Sequence, residues 1–352
     1  MSRIIWRLAD VVENAHKMVA LCAQSGVNLS LVTKFCLSQP ELIVPVLKTA
    51  GINSICDSNC QNFLLLNAPF PVHKSLIKTT TKAIQSFPQL SRNSRPDRLF
   101  VSDKGMLDEF YILPKEMRPE VVLIAECGDL KDGFSEEQII AAAESYPDLN
   151  IIGISATFSA LSGHLPTFEA VQKLAILSRK VASIRRNMPF LSIGGTAVYD
   201  LLQTGMLIGL VQEVRIGEGI FFGYNSSKRC PIPDFSQNTV LFQGEIIEIA
   251  EKRVENIPPD GFNSLGTSFE ESVLTGNRKR AVLDFGTLAA NQNDLIPNDN
   301  GTVTVGQTSD FTVLDITSSA QHYRTGNYVT FLANYASASQ AMLNPFVEKI
   351  VQ

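Results

Sequence analysis

The sequence predicts a two-domain α/β protein: a closed, TIM-like (β/α)8 barrel followed by an antiparallel β domain. Three observations carry that prediction. The first two-thirds of the chain alternates short β-branched runs with longer amphipathic segments, and eight such runs occur before the alternation stops. After about Asp234 the texture changes to strand-like segments separated by Gly/Asn/Asp-rich turns. A parallel return between strands needs a crossover, which the amphipathic segments supply as helices. Eight such strands is the number that closes a barrel. An open doubly wound sheet is the alternative, although no GxGxxG follows the first strand. At about 150 residues per domain, 352 residues suit two domains with one large core.

In chain order, the candidate barrel strands are 29–33, 53–57, 75–79, 98–102, 121–126, 150–156, 190–193 and 212–216. Most are apolar on both faces, as in a sheet covered by helices. Helical periodicity fills 41–50, 136–145 and 168–187. In the second part, 239–247, 280–285, 302–305, 311–316 and 328–332 read as strands, with turns such as Asn298-Asp299-Asn300-Gly301 between them. Long helical periodicity is missing there. Cys230-Pro231-Ile232-Pro233-Asp234 reads as the linker, which assigns 1–233 to the barrel and 234–352 to the β domain. The basic run Asn277-Arg278-Lys279-Arg280 reads as a solvated turn leading into a strand.

Composition narrows the partners. Thirty Lys and Arg against 35 Asp and Glu leave a net charge of -5, whereas nucleic acid or an anionic membrane would favour a basic surface. Charges interrupt every apolar stretch before the roughly 18 residues a membrane span needs. The opening Met1-Ser2-Arg3-Ile4-Ile5-Trp6 is too short in apolar residues for a signal peptide, so a cytoplasmic location is expected. The 6 cysteines include no CxxC and the 4 histidines no HxxxH or HxH, so reduced thiols and no metal centre are expected.

Function in such a barrel sits at the C-terminal strand ends, with phosphate often bound after strands seven and eight. The seventh candidate strand runs into Gly194-Gly195-Thr196 and the eighth into Arg215-Ile216-Gly217-Glu218-Gly219. Either turn alone is explained by glycines closing a tight loop; both together favour a phosphorylated ligand. Lys34 immediately follows the first strand. A lysine there costs free energy unless it is paired or used, and buried amines form Schiff bases readily. Taken by itself, Lys34 is read more simply as a lysine snorkelling from the rim. A carbonyl cofactor bearing a phosphate explains Lys34 and both turns together: pyridoxal 5'-phosphate.

Further motifs extend along the chain. Val32-Thr33-Lys34 is similar to a V-x-K lysine motif, Asp57-Ser58-Asn59-Cys60-Gln61-Asn62 to D-S-x-x-Q-N, and Gly128-Asp129-Leu130-Lys131-Asp132-Gly133 to G-D-L-R-E-G. Arg215-Ile216-Gly217-Glu218 is similar to R-x-G-E, and Thr308-Ser309-Asp310 to S-S-D. In this order and spacing the chain resembles, nearly end to end, the alanine-racemase-type (fold type III) pyridoxal-phosphate enzymes, and most closely their ornithine racemase-like branch of amino-acid racemases. Residues 4–21 look like that family's lead-in helix.

The resemblance implies roles. Lys34 would hold the cofactor covalently and move the Cα proton on one face of the substrate. Arg215 would face the pyridine nitrogen; apart from the resemblance, Asp129 and Glu218 are read by their charge as selecting a cationic side chain, or Glu218 as only orienting Arg215. Gly195, Thr196 and Gly217 would bind phosphate, and so would Tyr335, which a half-buried strand tyrosine explains nearly as well. Lys131 falls where the family has an arginine near the cofactor's phenolic oxygen, and Thr157 where alanine racemases stack a histidine. A small-molecule amino acid, small or basic, would be the substrate, and a homodimer would let one subunit's β domain complete the other's site.

One departure is specific. Alanine racemases carry a catalytic tyrosine in a G-Y-A-D-G motif, and Thr287 holds that position here, as the ornithine racemase-like branch also lacks the tyrosine. Asp310, Tyr335, Asp294 and Cys127 are the substitutes for the second proton carrier. His164 follows the sixth strand and reads as a loop histidine. The competing functions are a decarboxylase or a D-amino-acid lyase or dehydratase of the same fold, and a non-catalytic pyridoxal-phosphate-binding protein. The first group carries C-terminal cysteine motifs, and no cysteine follows Cys230. The second resembles the barrel alone.

Overall fold

The computed structural model describes residues 1–255, 260–263, 265–266 and 275–352. After strand β1 (Arg3–Trp6) and helix α1 (Leu8–Gln24), eight parallel strands close into a barrel in chain order. They are β2 (Asn28–Val32), β3 (Ser54–Asp57), β4 (His73–Leu76), β5 (Arg98–Val101), β6 (Glu120–Ile124), β7 (Ile151–Thr157), β8 (Leu191–Gly194) and β9 (Glu213–Ile216). The ring closes where Ser30 pairs with Arg215 and Leu31 with Ile216. Each of the eight predicted strands is present, within two or three residues of the expected bounds.

The crossovers are α2 (Pro40–Ala50), α3 (Cys60–Leu66), α4 (Thr81–Ser86), α5 (Lys104–Ile112), α6 (Glu136–Ser145), α7 (Phe168–Arg185) and α8 (Tyr199–Gln203), and α9 (Glu218–Phe222) follows the last strand. Their starts are written in the sequence. Asn59, Thr80, Asp103 and Thr167 each accept a backbone N–H of the first helical turn, and Ser135 with Gln138 forms a complete capping box. Gly51 ends α2 in the left-handed region at φ 70°.

A second unit gathers Met1–Ala9 with Asn238–Gln352, while Asp10–Gln237 forms the barrel unit. Its strands, after the two-residue pair β10 (Tyr224–Asn225) and β11 (Cys230–Pro231) of the barrel unit, are β12 (Val240–Val254), β13 (Gly276–Leu283), β14 (Leu295–Pro297), β15 (Val303–Gln307), β16 (Thr312–Asp315), β17 (Tyr328–Ala333) and β18 (Glu348–Val351). The sheet order is β14-β17-β12-β13-β16-β15, with β1 antiparallel to β12 and parallel to β18. Phe285 packs edge-on against Phe242 and Phe331, with ring centroids 4.7 and 5.8 Å away. Gly244 is required beneath it, because a Cβ there would stand 2.5 Å from the Phe285 ring.

Four expectations are corrected. Residues 4–6 are not helix: they belong to Arg3–Trp6, a strand of the β unit, its backbone donors and acceptors met by β12 and β18. Consequently the opening residues leave the barrel, and the break falls at 237/238 rather than 233/234. Tyr335 is not in a strand; it begins helix α10 (Tyr335–Leu343), whose N-cap Asn334 accepts from the N–H groups of Ala336 and Ser337. The basic run 277–280 lies inside β13. There Arg278 donates to Asp315 at 2.8 and 3.2 Å, and Arg280 lies 3.7 Å from the same carboxylate.

Candidate active site at the C-terminal rim of the barrel

Because the barrel strands are parallel, the residues that follow their C-terminal ends share one rim. Lys34, Lys131, Thr157, Gly195, Thr196, Gly217 and Glu218 all lie at or just beyond such ends, after β2, β6, β7, β8 and β9. Asp310 and Tyr335 belong to the β unit, as do Thr287 and Asp294. The barrel alone therefore brings together eight of the ten predicted site residues, Arg215 on β9 being the eighth.

Lys34 opens a short 3-10 turn, Lys34–Cys36, after Thr33. Its side chain is solvent-accessible, yet its pKa is lowered, first by desolvation and then by Lys131, with Asp57 opposing and Lys78 adding to the fall. The two facts agree: a concave rim leaves a side chain touchable by solvent while displacing much of the ammonium's hydration. A larger share of amine is thus unprotonated than in a free lysine, as covalent capture of an aldehyde requires.

Arg215 is 5% exposed. Its Nη1 donates to Ser192 Oγ at 2.6 Å, and its Nη2 donates to Ala156 O at 3.2 Å and to Thr157 Oγ1 at 3.1 Å. The guanidinium lies over the Phe100 ring, 4.5 Å from its centroid. Burial lowers its pKa, but a guanidinium titrates so far above neutrality that it stays charged. Its counter-charge arrives through Ser192, which donates to Glu213 at 2.6 Å; Glu213 accepts from Arg98 at 2.9 Å, and Arg98 also donates to Glu120 at 3.1 Å. A ladder of alternating charge thus crosses the barrel interior. Sequence reasoning missed Ser192, Glu213 and Arg98; the signal was charged residues opening otherwise apolar strands.

The two glycine turns are tied together. Thr196 Oγ1 accepts from Gly219 N at 3.0 Å, and Gly195 N donates to Arg215 O at 2.9 Å. Gly195 has φ 103°, a conformation glycine alone adopts readily, and a Cβ on Gly217 would stand 2.8 Å from Val32 O. Gly217 thus lets the turn after β9 approach the end of β2, two residues before Lys34. Amides of a first helical turn have no intrahelical acceptor, so both turns present N–H donors, with the Thr196 hydroxyl beside them.

The other predicted groups have settled partners. Lys131 pairs with Asp132 at 2.7 Å in a loop that demands Gly133, whose φ is 139° and whose Cβ would stand 2.4 Å from Glu126 N. Asp129 is buried: desolvation opposes its ionisation, but the N–H groups of Leu161, Ser162 and Ala160 outweigh it and hold its pKa low. Its Oδ1 braces the loop after β7. Glu218 likewise accepts from Ser226, not from Arg215, so the expectation that it orients the arginine is corrected. Cys127 Sγ donates to Thr157 O at 3.3 Å, and His164 Nδ1 lies 2.9 Å from Ser162 Oγ in an exposed loop. In the β unit, Asp310 is exposed and accepts from Ser309 at 2.6 Å.

No described family model matches the chain. It is 28% identical over 359 residues to the lysine racemase of Thermotoga maritima, covering 99% of this chain and 98% of that protein. It is 22% identical to the ornithine racemase of Acetoanaerobium sticklandii, with 96% of each chain covered. The alanine racemase of Bartonella henselae, solved with covalently bound pyridoxal phosphate, superposes with a TM-score of 0.72 at 15% identity, covering 100% of this chain and 99% of that one. The chain thus has the alanine-racemase fold and is similar over nearly its whole length to two racemases. The fold by itself does not select the reaction, since a D-threonine aldolase from Filomicrobium marinum superposes as well, with a TM-score of 0.70 at 12% identity over 99% of this chain and 91% of that one. The two relatives that match end to end are both racemases.

Proposed function

We propose that the protein is a pyridoxal 5'-phosphate-dependent racemase of basic amino acids such as lysine or ornithine, working as a homodimer. The observation that carries the reading is that hydrogen-bonded neighbours β2 and β9 set Lys34 and Arg215 on one rim, in a chain alike over its whole length to two racemases of such substrates.

The residues present suit the cofactor. Lys34 supplies an amine of lowered pKa, and the turns at Gly195–Thr196 and Gly217–Glu218 supply backbone donors and a hydroxyl for a phosphate dianion. Glu218 enters through its N–H, since its carboxylate serves Ser226. When bound, the cofactor supplies the electron sink that makes the substrate's Cα–H acidic. Lys34 Nζ holds it and carries the Cα proton on one face. Arg215, a permanent cation, would disfavour protonation of a ring nitrogen held beside it and so restrain competing transamination. Thr157 steadies Arg215, and Lys131 adds positive potential near Lys34. Asp310 and Tyr335 of the β unit are the proposed second proton carrier and an added phosphate ligand.

Two measurements test this. Borohydride reduction after incubation with pyridoxal 5'-phosphate should leave the pyridoxyl group on Lys34, read by peptide mass. Incubation of L-lysine, L-ornithine and L-alanine in deuterium oxide should give D-product with deuterium at Cα, fastest for the two basic substrates. Absence of adduct and D-product would reject the reading; carbon dioxide or an α-keto acid would redirect it to a decarboxylase or a lyase.

A further inference from the structure

The turn that carries Lys34 is held in an unusual backbone. Leu37 and Ser38 are consecutive non-glycine residues at φ 55° and 52°, in the left-handed region where Cβ crowds the following carbonyl oxygen. Such a conformation persists only where its surroundings over-determine it. Here backbone bonds from Cys36 N to Thr33 O and from Gln39 N to Cys36 O close the turn, and one carboxylate grips the side chains on both of its flanks. Asp57, fully buried at the end of β3, accepts from Thr33 Oγ1 at 2.9 Å and Ser38 Oγ at 3.0 Å through one oxygen. Its other oxygen accepts from Asn62 Nδ2 at 2.8 Å and Asn59 N at 3.0 Å. The Thr33 and Ser38 hydroxyl oxygens, on the two sides of the Lys34 turn, lie 2.7 Å apart, drawn together on the one Asp57 oxygen. All four side chains are more than nine-tenths buried, so no water competes for these bonds.

We propose that Asp57 is the positioning residue of Lys34: its buried carboxylate gathers Thr33 and Ser38, braced by Asn59 and Asn62, and so fixes the backbone from which the reactive amine projects. The proposal rests on the assignment of Lys34 as the cofactor lysine. It also gives the D-S-x-x-Q-N segment a physical purpose: Asp57 holds the turn, and Asn59 and Asn62 hold Asp57. The carboxylate acts on the amine a second way, since its charge opposes the desolvation and the Lys131 and Lys78 cations that discharge Lys34.

The test uses the full-length protein without added cofactor. Reductive methylation of Lys34 with formaldehyde and cyanoborohydride, followed across pH by peptide mass, reads the titration of its amine; amide exchange at residues 34–38 reads the turn. Asp57→Asn keeps the shape and removes the charge. It should lower the Lys34 midpoint and speed exchange of the turn by about tenfold or more, with far-UV dichroism unchanged. Ser38→Ala keeps the charge and removes one bond, so it should speed the turn's exchange while leaving the midpoint in place. It also decides the matter if Asp57→Asn does not fold. A folded Asp57→Asn protein with wild-type midpoint and wild-type exchange, or a Ser38→Ala protein with wild-type exchange, would overturn the proposal. Borohydride trapping of pyridoxal 5'-phosphate on the wild type separates the two ideas: if trapping fails while the titration shifts as stated, the cofactor reading falls and the positioning role stands.

Discussion

Gly194 and Arg215 divide one small space between them: a Cβ on Gly194 would stand 2.6 Å from Arg215 Nη2 and 3.2 Å from its Cζ. The glycine is therefore a steric requirement of the buried cation, independent of any turn. A flexible arginine could swing aside, but this one is pinned by Ser192, Ala156 O and Thr157 and stacked on Phe100.

Gly194→Ala is expected to destabilise the barrel by about 1–3 kcal/mol, the usual cost of overpacking, and to cut racemisation at least tenfold by displacing Arg215. Urea unfolding and the rate of D-product formation measure the two effects. An alanine variant with wild-type values for both would show that Arg215 is not held where its partners place it.

Glu213→Gln should cost more. It leaves Arg98 and Arg215 inside the barrel without the carboxylate that Arg98 contacts directly and Arg215 reaches through Ser192. Breaking a buried pair from one side costs about 3–5 kcal/mol, so the urea midpoint should fall sharply. Replacing Lys104, exposed and paired only with Asp108 among the ion pairs of the described residues, should leave the midpoint nearly unchanged.

Thr196→Val removes the hydroxyl proposed to meet phosphate and leaves Gly219 N without its acceptor. Affinity for pyridoxal 5'-phosphate should fall by about tenfold, the worth of a hydrogen bond to a charged group, while affinity for phosphate-free pyridoxal should hold. Equal losses for both ligands would place the phosphate elsewhere.

Acid should loosen the β unit through Asp315. Desolvation opposes its ionisation, but the Arg278 hydrogen bonds prevail and its pKa lies below the usual 3.8. For a depressed carboxyl, the stabilisation is complete above the unfolded pKa and disappears as pH falls through the folded one. Stability should therefore decline below about pH 4 in the wild type and less steeply in Asp315→Asn, which starts lower. Thermal unfolding between pH 7 and pH 2 reads both slopes.

The comparison between sequence and structure turns on the range of the forces involved. Barrel strands were legible because a buried parallel strand must be apolar on both faces, and helix α6 because Ser135 and Gln138 announce its start three residues apart. Strands β1 and β18 were not, since β1 pairs with β12 more than 230 residues away, and four apolar residues beside an amphipathic run look like more of that run. The basic segment 277–280 misled for the same reason: its neutralising Asp315 is close only across β13 and β16.

At the site the division is sharper. That a lysine follows the first barrel strand and glycine turns follow the last two was legible in the residues alone, because chain order in a parallel barrel dictates which residues share a rim. That Asp57 bonds both flanks of the lysine's turn, that Glu213 balances Arg215 through a serine, that Asp129 Oδ1 braces a loop and that Glu218 serves Ser226 emerged with the folded chain. Hydrogen bonds and buried charges act over a few ångströms, and a linear sequence does not record which distant residues come that near.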